Sequence, residues 1–95
     1  MKELQDIRKE LDAVDAELVK LFERRMEISR EVAAYKIAHG MPVLDRGREE
    51  RVLASRAEKL QDVYWEKDVR ALYECIMALS RAEQEKLLRE VADHA

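Results

Sequence analysis

The sequence has few of the residues that interrupt helices or build small cross-linked domains. Its 95 residues include two Gly, one Pro and one Cys, and aromatic residues make up 5%. The single cysteine excludes an internal disulfide and a cysteine-rich zinc site. No apolar run approaches membrane-spanning length, and the N-terminus MKELQDIRKE lacks the apolar core of a signal peptide. We therefore expect a soluble cytosolic protein in which Cys75 is a small buried apolar residue.

The sequence is rich in charged and apolar residues, which make up 41% and 47% of the chain. This composition is typical of long helices, and the apolar content argues against disorder. Ninety-five residues suffice for a single domain, residues 1–95. The net charge of -3 and the interleaving of acids with bases argue against nucleic-acid binding. His39 and His94 have no partners at metal-ligand spacing, so we expect no metal site.

A heptad pattern of apolar residues runs through the first forty residues. It predicts a first helix over roughly residues 3 to 38, which Gly40 ends and Pro42 follows. Such a helix is over ~50 Å long, too long to be covered by a 95-residue globule, so we expect it to pack against a second copy. The positions of the pattern are Leu4, Ile7, Leu11, Val14, Leu18, Leu21, Arg25, Ile28, Val32 and Tyr35.

Two further helices are predicted after the first. Asp45 is a good N-cap for a helix over roughly residues 46 to 59. Residues 61–65 indicate an irregular link, and a third helix follows over roughly residues 66 to 91. The predicted fold class is all-α, with a long, a short and a medium helix in each chain.

Two cations lie on one face of the first helix. Arg25 occupies an apolar position of the heptad pattern, where a buried guanidinium requires an anionic partner. Lys36 follows eleven residues later, and eleven steps of ~100° bring it to within about 20° of the same face. The pair suggests an anion-binding site. A structural salt bridge at Arg25 and a solvated lysine at a helix end are the alternatives.

Arg8 lies far from Arg25 on the same predicted helix. Seventeen residues separate them by about 25 Å, and the two side chains point about 100° apart. Arg8 can therefore share a small-molecule pocket only with Arg25 of a second chain. The alternative is an ordinary surface arginine.

The other helices each contribute polar residues that interrupt the pattern. Arg48 and Glu49 open the second helix, where backbone N–H groups and the helix dipole favour anions. Ser80 and Gln84 lie one turn apart on the apolar face of the third helix. The alternatives are a solvated run of mixed charges and a buried polar pair that satisfies itself or the backbone.

Together these positions form a specific order: R-x6-D-x9-R-x10-K, then P-V-x-D-x2-R-E, then S-x3-Q. The order and spacing resemble those of the all-helical chorismate mutases, over about residues 4 to 90. In this sequence the matching residues are Arg8, Asp15, Arg25, Lys36, Pro42, Val43, Asp45, Arg48, Glu49, Ser80 and Gln84.

The resemblance implies a fold, an assembly and a reaction. Two three-helix chains would intertwine as a homodimer with two equivalent sites, and each site would take Arg8 from one protomer and its other residues from the partner. The reaction would be the Claisen rearrangement of chorismate to prephenate, a step of the shikimate pathway toward phenylalanine and tyrosine. It requires no cofactor and no nucleophile.

The resemblance also implies how the dianionic substrate is held. Arg8 of the partner chain, Arg25 and Arg48 would bind its two carboxylates, with Ser80 assisting. This clamp would hold the substrate in a compact reactive conformer.

The remaining residues would act on the ether oxygen and the ring hydroxyl. Lys36 and Gln84 would donate hydrogen bonds to the ether oxygen, which gains negative charge in the transition state. Glu49 would accept a hydrogen bond from the ring hydroxyl, with the backbone near Asp45 helping. The predicted catalytic residues are thus Lys36, Gln84, Arg25 and Glu49.

One residue departs from the expected pattern, and several alternatives remain open. Arg81 stands where we expect an apolar neighbour of Ser80, so it either faces solvent or weakens activity. Isochorismate-pyruvate lyase shares the fold, although Glu49 favours the mutase. A non-catalytic helical dimerisation module and a catalytically poor homologue are further alternatives. Since the sequence ends at Ala95, we expect a monofunctional enzyme or an excised domain.

Overall fold

Three α-helices form the protein, and the computed structural model describes residues 1–94. Helix α1 spans Leu4–Ala38, α2 spans Arg46–Glu58 and α3 spans Glu66–Asp93. A short 3₁₀ turn, Val63–Trp65, connects α2 to α3. Residues 1–94 contain no strand, which confirms the all-α prediction and its order of helices.

The ends of α1 and α2 follow from the local chemistry of the sequence. Gly40 adopts a positive φ of 63°, which an L side chain would disfavour. The N–H of Met41 then donates to the carbonyl of Lys36 over 2.8 Å, and Gly40 donates to Ile37, which together form a Schellman ending. The next helix begins at Asp45, whose Oδ1 accepts from the backbone N–H of Arg48 at 3.0 Å.

Helix α3 packs against the C-terminal half of α1 and against α2, and the small core lies between these surfaces. Within residues 1–94 the buried apolar side chains are Ala33, Val52, Ala57 and Met77. The molecule is long and flat, with principal extents of 60 × 27 × 14 Å. A core of this size stabilises a single chain only modestly.

The N-terminal half of α1 extends away from this core, and every residue from 1 to 24 is exposed. The apolar residues of its heptad pattern are 45–62% exposed, although their spacing is that of a buried helix face. We call them the open stripe: Leu4, Ile7, Leu11, Val14, Leu18 and Leu21.

The prediction that Cys75 is buried is wrong, because its thiol-bearing side chain is exposed in the single chain. Helix α3 faces the core with Met77, Ser80 and Gln84. Cys75 precedes Met77 by two residues, so it projects about 200° away from that face.

In residues 1–94, none of the helices combines the length and the apolar character that crossing a bilayer requires.

Candidate active site

A cavity of about 320 Å³ opens where the C-terminal half of α1 meets α2 and α3. Its wall contains seven of the eight site residues predicted from the sequence, contributed by all three helices and the turn before α2. Those seven are Arg25, Lys36, Asp45, Arg48, Glu49, Ser80 and Gln84. The eighth, Arg8, is exposed on the N-terminal half of α1 and is not among the residues that line this cavity.

Cations outnumber acids on the cavity wall. Arg56 and Arg81 line the cavity together with Arg25, Lys36 and Arg48, whereas its carboxylates are Asp45 and Glu49. The chain as a whole carries a net charge of -3, so this excess of positive charge is local. A partly enclosed cavity with this charge attracts small anions.

Arg25 is held at the junction of α1 and α3 by a chain of polar contacts. Its Nη1 donates to Ser80 Oγ at 2.9 Å, and Ser29 Oγ donates to the same oxygen at 3.0 Å. The guanidinium also lies 5.9 Å from the ring centroid of Tyr73, within the range of a cation–π interaction. Neither Ser80 nor Tyr73 is acidic, and Arg25 takes part in none of the ion pairs formed by residues 1–94.

The environment of Arg25 favours a bound anion. Burial lowers the pKa of its guanidinium, and the nearby charges of Arg56 and Arg48 lower that pKa further, against an opposing effect of Tyr73. An arginine stays charged at neutral pH despite such a shift. Holding this charge in the cavity wall costs desolvation free energy, and an anion that enters the cavity offsets part of that cost.

Lys36 and Gln84 form a pair of hydrogen-bond donors on one side of the cavity. Lys36 Nζ donates to the carbonyl of Val43 at 2.6 Å and to Gln84 Oε1 at 3.3 Å. Because the Gln84 oxygen already accepts from Lys36, its amide nitrogen is available to donate into the cavity. The bond to Val43 also fixes the lysine to the turn that follows α1.

The first turn of α2 contributes residues with different tasks. The carboxylate of Asp45 caps the helix by accepting from the Arg48 N–H, so it is engaged in local structure. The side chain of Glu49 points across the cavity wall to α3, where it accepts from Arg81 Nη1. Of the two alternatives for Arg81, the structure excludes a side chain directed only to solvent, since Arg81 lines the cavity and forms an ion pair there.

Sequence reasoning missed Arg56, which lines the cavity and lies 6.0 Å from the ring of Tyr73. A signal for it was present: Glu49, Val52 and Arg56 follow one another at helical spacings of three and four, so they share one face of α2.

Among residues 1–94, no three His, Cys, Asp or Glu side chains are grouped as they would be around a metal ion.

Comparison with protein families agrees with this arrangement. The model of the family described as chorismate mutase type II matches residues 7–85, which include all of α2 and most of α1 and α3. The chain therefore belongs to the chorismate mutase type II family.

The chain is also similar to parts of several curated proteins. It is 39% identical over 56 residues to the T-protein of Haemophilus influenzae, an alignment that covers 59% of this chain and 15% of that protein. It is 44% identical over 46 residues to the 4-amino-4-deoxychorismate mutase of Streptomyces venezuelae, covering 48% of this chain and 45% of that one. The T-protein of Enterobacter agglomerans is 36% identical over 59 residues, covering 62% and 16%. The matched region thus spans less than half of the length of these relatives.

Proposed function

We propose that this protein is a chorismate mutase that rearranges chorismate to prephenate. One observation carries the proposal: a single cavity brings together Arg25, Arg48, Lys36 and Gln84, which come from three different helices. Membership of the chorismate mutase type II family supports the same reaction. The proposed unit of activity is one domain, residues 1–95, in each protomer.

The positive wall of the cavity suits a substrate with two carboxylates. Arg25 and Arg48 offer planar donors that match carboxylate geometry. Ser80 already accepts from Arg25, so it can orient that guanidinium and still use its own hydroxyl proton toward the substrate. Binding the carboxylates in fixed positions holds the enolpyruvyl arm over the ring, which is the reactive conformer.

Lys36 and Gln84 support a role at the ether oxygen of the substrate. Breaking the C–O bond transfers electron density to this oxygen in the transition state. Two donors that lie side by side in the wall, Lys36 Nζ and the Gln84 amide, stabilise that charge without having to reorganise. The rearrangement is unimolecular, so donors and a rigid cavity suffice for it.

A second copy of the chain completes the site in our proposal. The open stripe exposes apolar residues over about 25 Å of α1, and an identical helix packed along it would cover them. Arg8 lies in this half, about 25 Å along α1 from Arg25, so it can reach a cavity only in the partner chain. We therefore propose an intertwined homodimer in which Arg8 adds a third arginine to the partner's cavity.

The proposal is tested by following the ultraviolet absorbance of chorismate in the presence of the purified protein. Wild type should consume chorismate and form prephenate, and Lys36→Ala should lower kcat by about 10²–10³-fold with its helical circular dichroism unchanged. Lys67→Ala, an exposed lysine on α3, is the matched control and should keep wild-type turnover. If Lys36→Ala and Lys67→Ala behave alike, the proposed role of Lys36 is wrong.

The same assay separates the proposed mutase from its alternatives. A lyase would release pyruvate from isochorismate and leave chorismate unchanged. A dimerisation module would form dimers but consume neither compound. The similarity to a 4-amino-4-deoxychorismate mutase makes the amino analogue of chorismate a second candidate substrate, which differs at one position of the ring.

A further inference from the structure

Arg81 and Glu49 form an ion pair across the cavity wall. Glu49 lies in the first turn of α2 and Arg81 directly follows Ser80 on α3, so the pair connects two helices. Both side chains are partly buried, with 33% of Arg81 and 24% of Glu49 exposed, and both line the cavity. Arg81 Nη1 donates to Glu49 Oε1, which leaves the other carboxylate oxygen of Glu49 as an acceptor.

The ion pair changes what Glu49 presents to a ligand. An unpaired carboxylate in the wall would repel the carboxylates of a dianionic substrate and would attract a cationic group. Arg81 compensates the negative charge of Glu49 and restricts its rotation. What remains is an oriented hydrogen-bond acceptor whose own negative charge is compensated, which suits a neutral hydroxyl group.

We propose that Arg81 is a positioning and specificity-determining residue that makes the cavity prefer a ring hydroxyl over a ring amine at the position facing Glu49. This inference rests on the proposed mutase function. An aliphatic amine is largely protonated at neutral pH, so the amino substrate brings a positive charge to this position. There it meets the guanidinium of Arg81 and a carboxylate that Arg81 already engages. Like-charge contact of this kind disfavours the amine.

A purely structural role for the same pair predicts a different outcome. If Arg81 served only to join α2 to α3, removing it would lower the stability of the protein and affect both substrates equally. The ratio of kcat/KM for chorismate to kcat/KM for 4-amino-4-deoxychorismate is therefore the informative quantity. Changes in folding or in the concentration of active sites cancel from this ratio.

The experiment compares Arg81→Met and Arg81→Lys with wild type on the two substrates. Arg81→Met removes the charge and keeps much of the apolar side chain, and it should lower the ratio about tenfold or more. Arg81→Lys keeps the positive charge and should retain most of the wild-type preference. Arg70→Met is the matched control, because Arg70 also lies on α3, pairs with Glu66 and does not line the cavity. Its ratio should equal that of wild type.

The outcomes distinguish this inference from the function on which it rests. Turnover of neither substrate by wild type overturns the mutase proposal and the inference with it. Turnover by wild type with the same ratio in Arg81→Met overturns only the role of Arg81. If Arg81→Met does not fold, Arg81→Gln with the same readout replaces it. A ratio that falls in Arg81→Lys as far as in the neutral variants contradicts the charge argument.

Discussion

The two halves of α1 share one sequence pattern but have different surroundings. From Arg25 to Ala38 the helix packs against α3, with Ser29 and Ala33 buried. The pattern residues Ile28, Val32 and Tyr35 of this half are 40–59% exposed, with Ile28 and Val32 in the cavity wall, whereas every residue from Leu4 to residue 24 is exposed and lies outside that wall.

The difference shows which part of the molecule one chain completes by itself. The C-terminal half of α1 has its partner within the chain and contributes Arg25 and Lys36 to the cavity. The N-terminal half has an exposed apolar face, and large exposed apolar patches mark surfaces that bind a partner. In the proposed dimer, the C-terminal half of α1 builds the site, and the N-terminal half joins two sites to each other.

The largest expected effect comes from changing the N-terminal half of α1 in one chain and the C-terminal half in the other. Arg8→Ala and Lys36→Ala should each lower kcat/KM by about 10²-fold or more, because each removes a charged donor from the site. Unfolding the two variants together and refolding the mixture should restore about a quarter of wild-type activity, since half of the dimers are mixed and each has one intact site.

A second mixture provides the control for this complementation. Arg25→Ala and Lys36→Ala both change the C-terminal half, so every site in their mixed dimers lacks one of the two cations. Mixing them should restore no activity. Equal recovery in both mixtures would show that Arg8 does not act across the interface.

Replacing Gln84 tests the donor pair in the C-terminal half. A neutral amide does not titrate, so wild-type turnover should vary little near neutral pH. Gln84→Glu can donate from this position only when its carboxyl is protonated, and above the carboxyl's pKa its activity should fall about tenfold per pH unit. The measurement is kcat against pH for both proteins. A flat profile for Gln84→Glu would remove Gln84 from the ether oxygen.

The open stripe provides a test that leaves the cavity intact. Burying a leucine stabilises an assembly by about 1.5–3 kcal/mol, so Leu18→Ser should raise the dimer dissociation constant by about tenfold or more. Sedimentation across a dilution series measures that constant. Glu17→Ser, the exposed neighbour on the same helix, is the control and should leave it near the wild-type value. Equal dissociation constants for the two variants would mean that the open stripe is not the interface.

The smallest effect concerns an ion pair outside the cavity that joins the C-terminal half of α1 to α3. Arg30 Nη1 lies 2.6 Å from Glu83 Oε1, and this hydrogen bond lowers the pKa of Glu83. A carboxylate with a lowered pKa adds stability above its unfolded-state pKa, and this stability is lost as the pH falls through the folded-state pKa. Glu83→Gln should therefore have a slightly lower Tm than wild type at pH 7, and the difference should disappear in acid.

The matched variant for this measurement is Glu85→Gln, whose side chain is exposed on the same helix. Its Tm should differ little from wild type across the same pH range. A Tm difference for Glu83→Gln that persists in acid would show that lost packing, and not the ion pair, is responsible.

Most of the fold could be predicted because its signals are local. The apolar spacing, the positive φ available to Gly40 and the capping carboxylate of Asp45 each act within a few residues. The relation between Arg25 and Lys36 is also local, since a regular helix converts sequence distance into angle. These features required no knowledge of how the helices pack.

Residues whose position depends on helix packing were harder to predict. Whether Arg56 and Arg81 reach the cavity depends on how α2 and α3 are rotated against α1, which many apolar contacts determine together. The error at Cys75 has a related cause: burial is common for cysteine in general, but Cys75 lies on a face of α3 that is exposed within residues 1–94.

The unbroken length of α1 has a consequence for how the sequence of this protein can change in length. In the proposed dimer, one straight helix carries a residue for each of two cavities, so inserting a residue between Arg8 and Arg25 would turn one relative to the other by ~100° and move it by ~1.5 Å. Insertions and deletions should be tolerated around residues 59–65, between α2 and α3, and should abolish activity within residues 9–24.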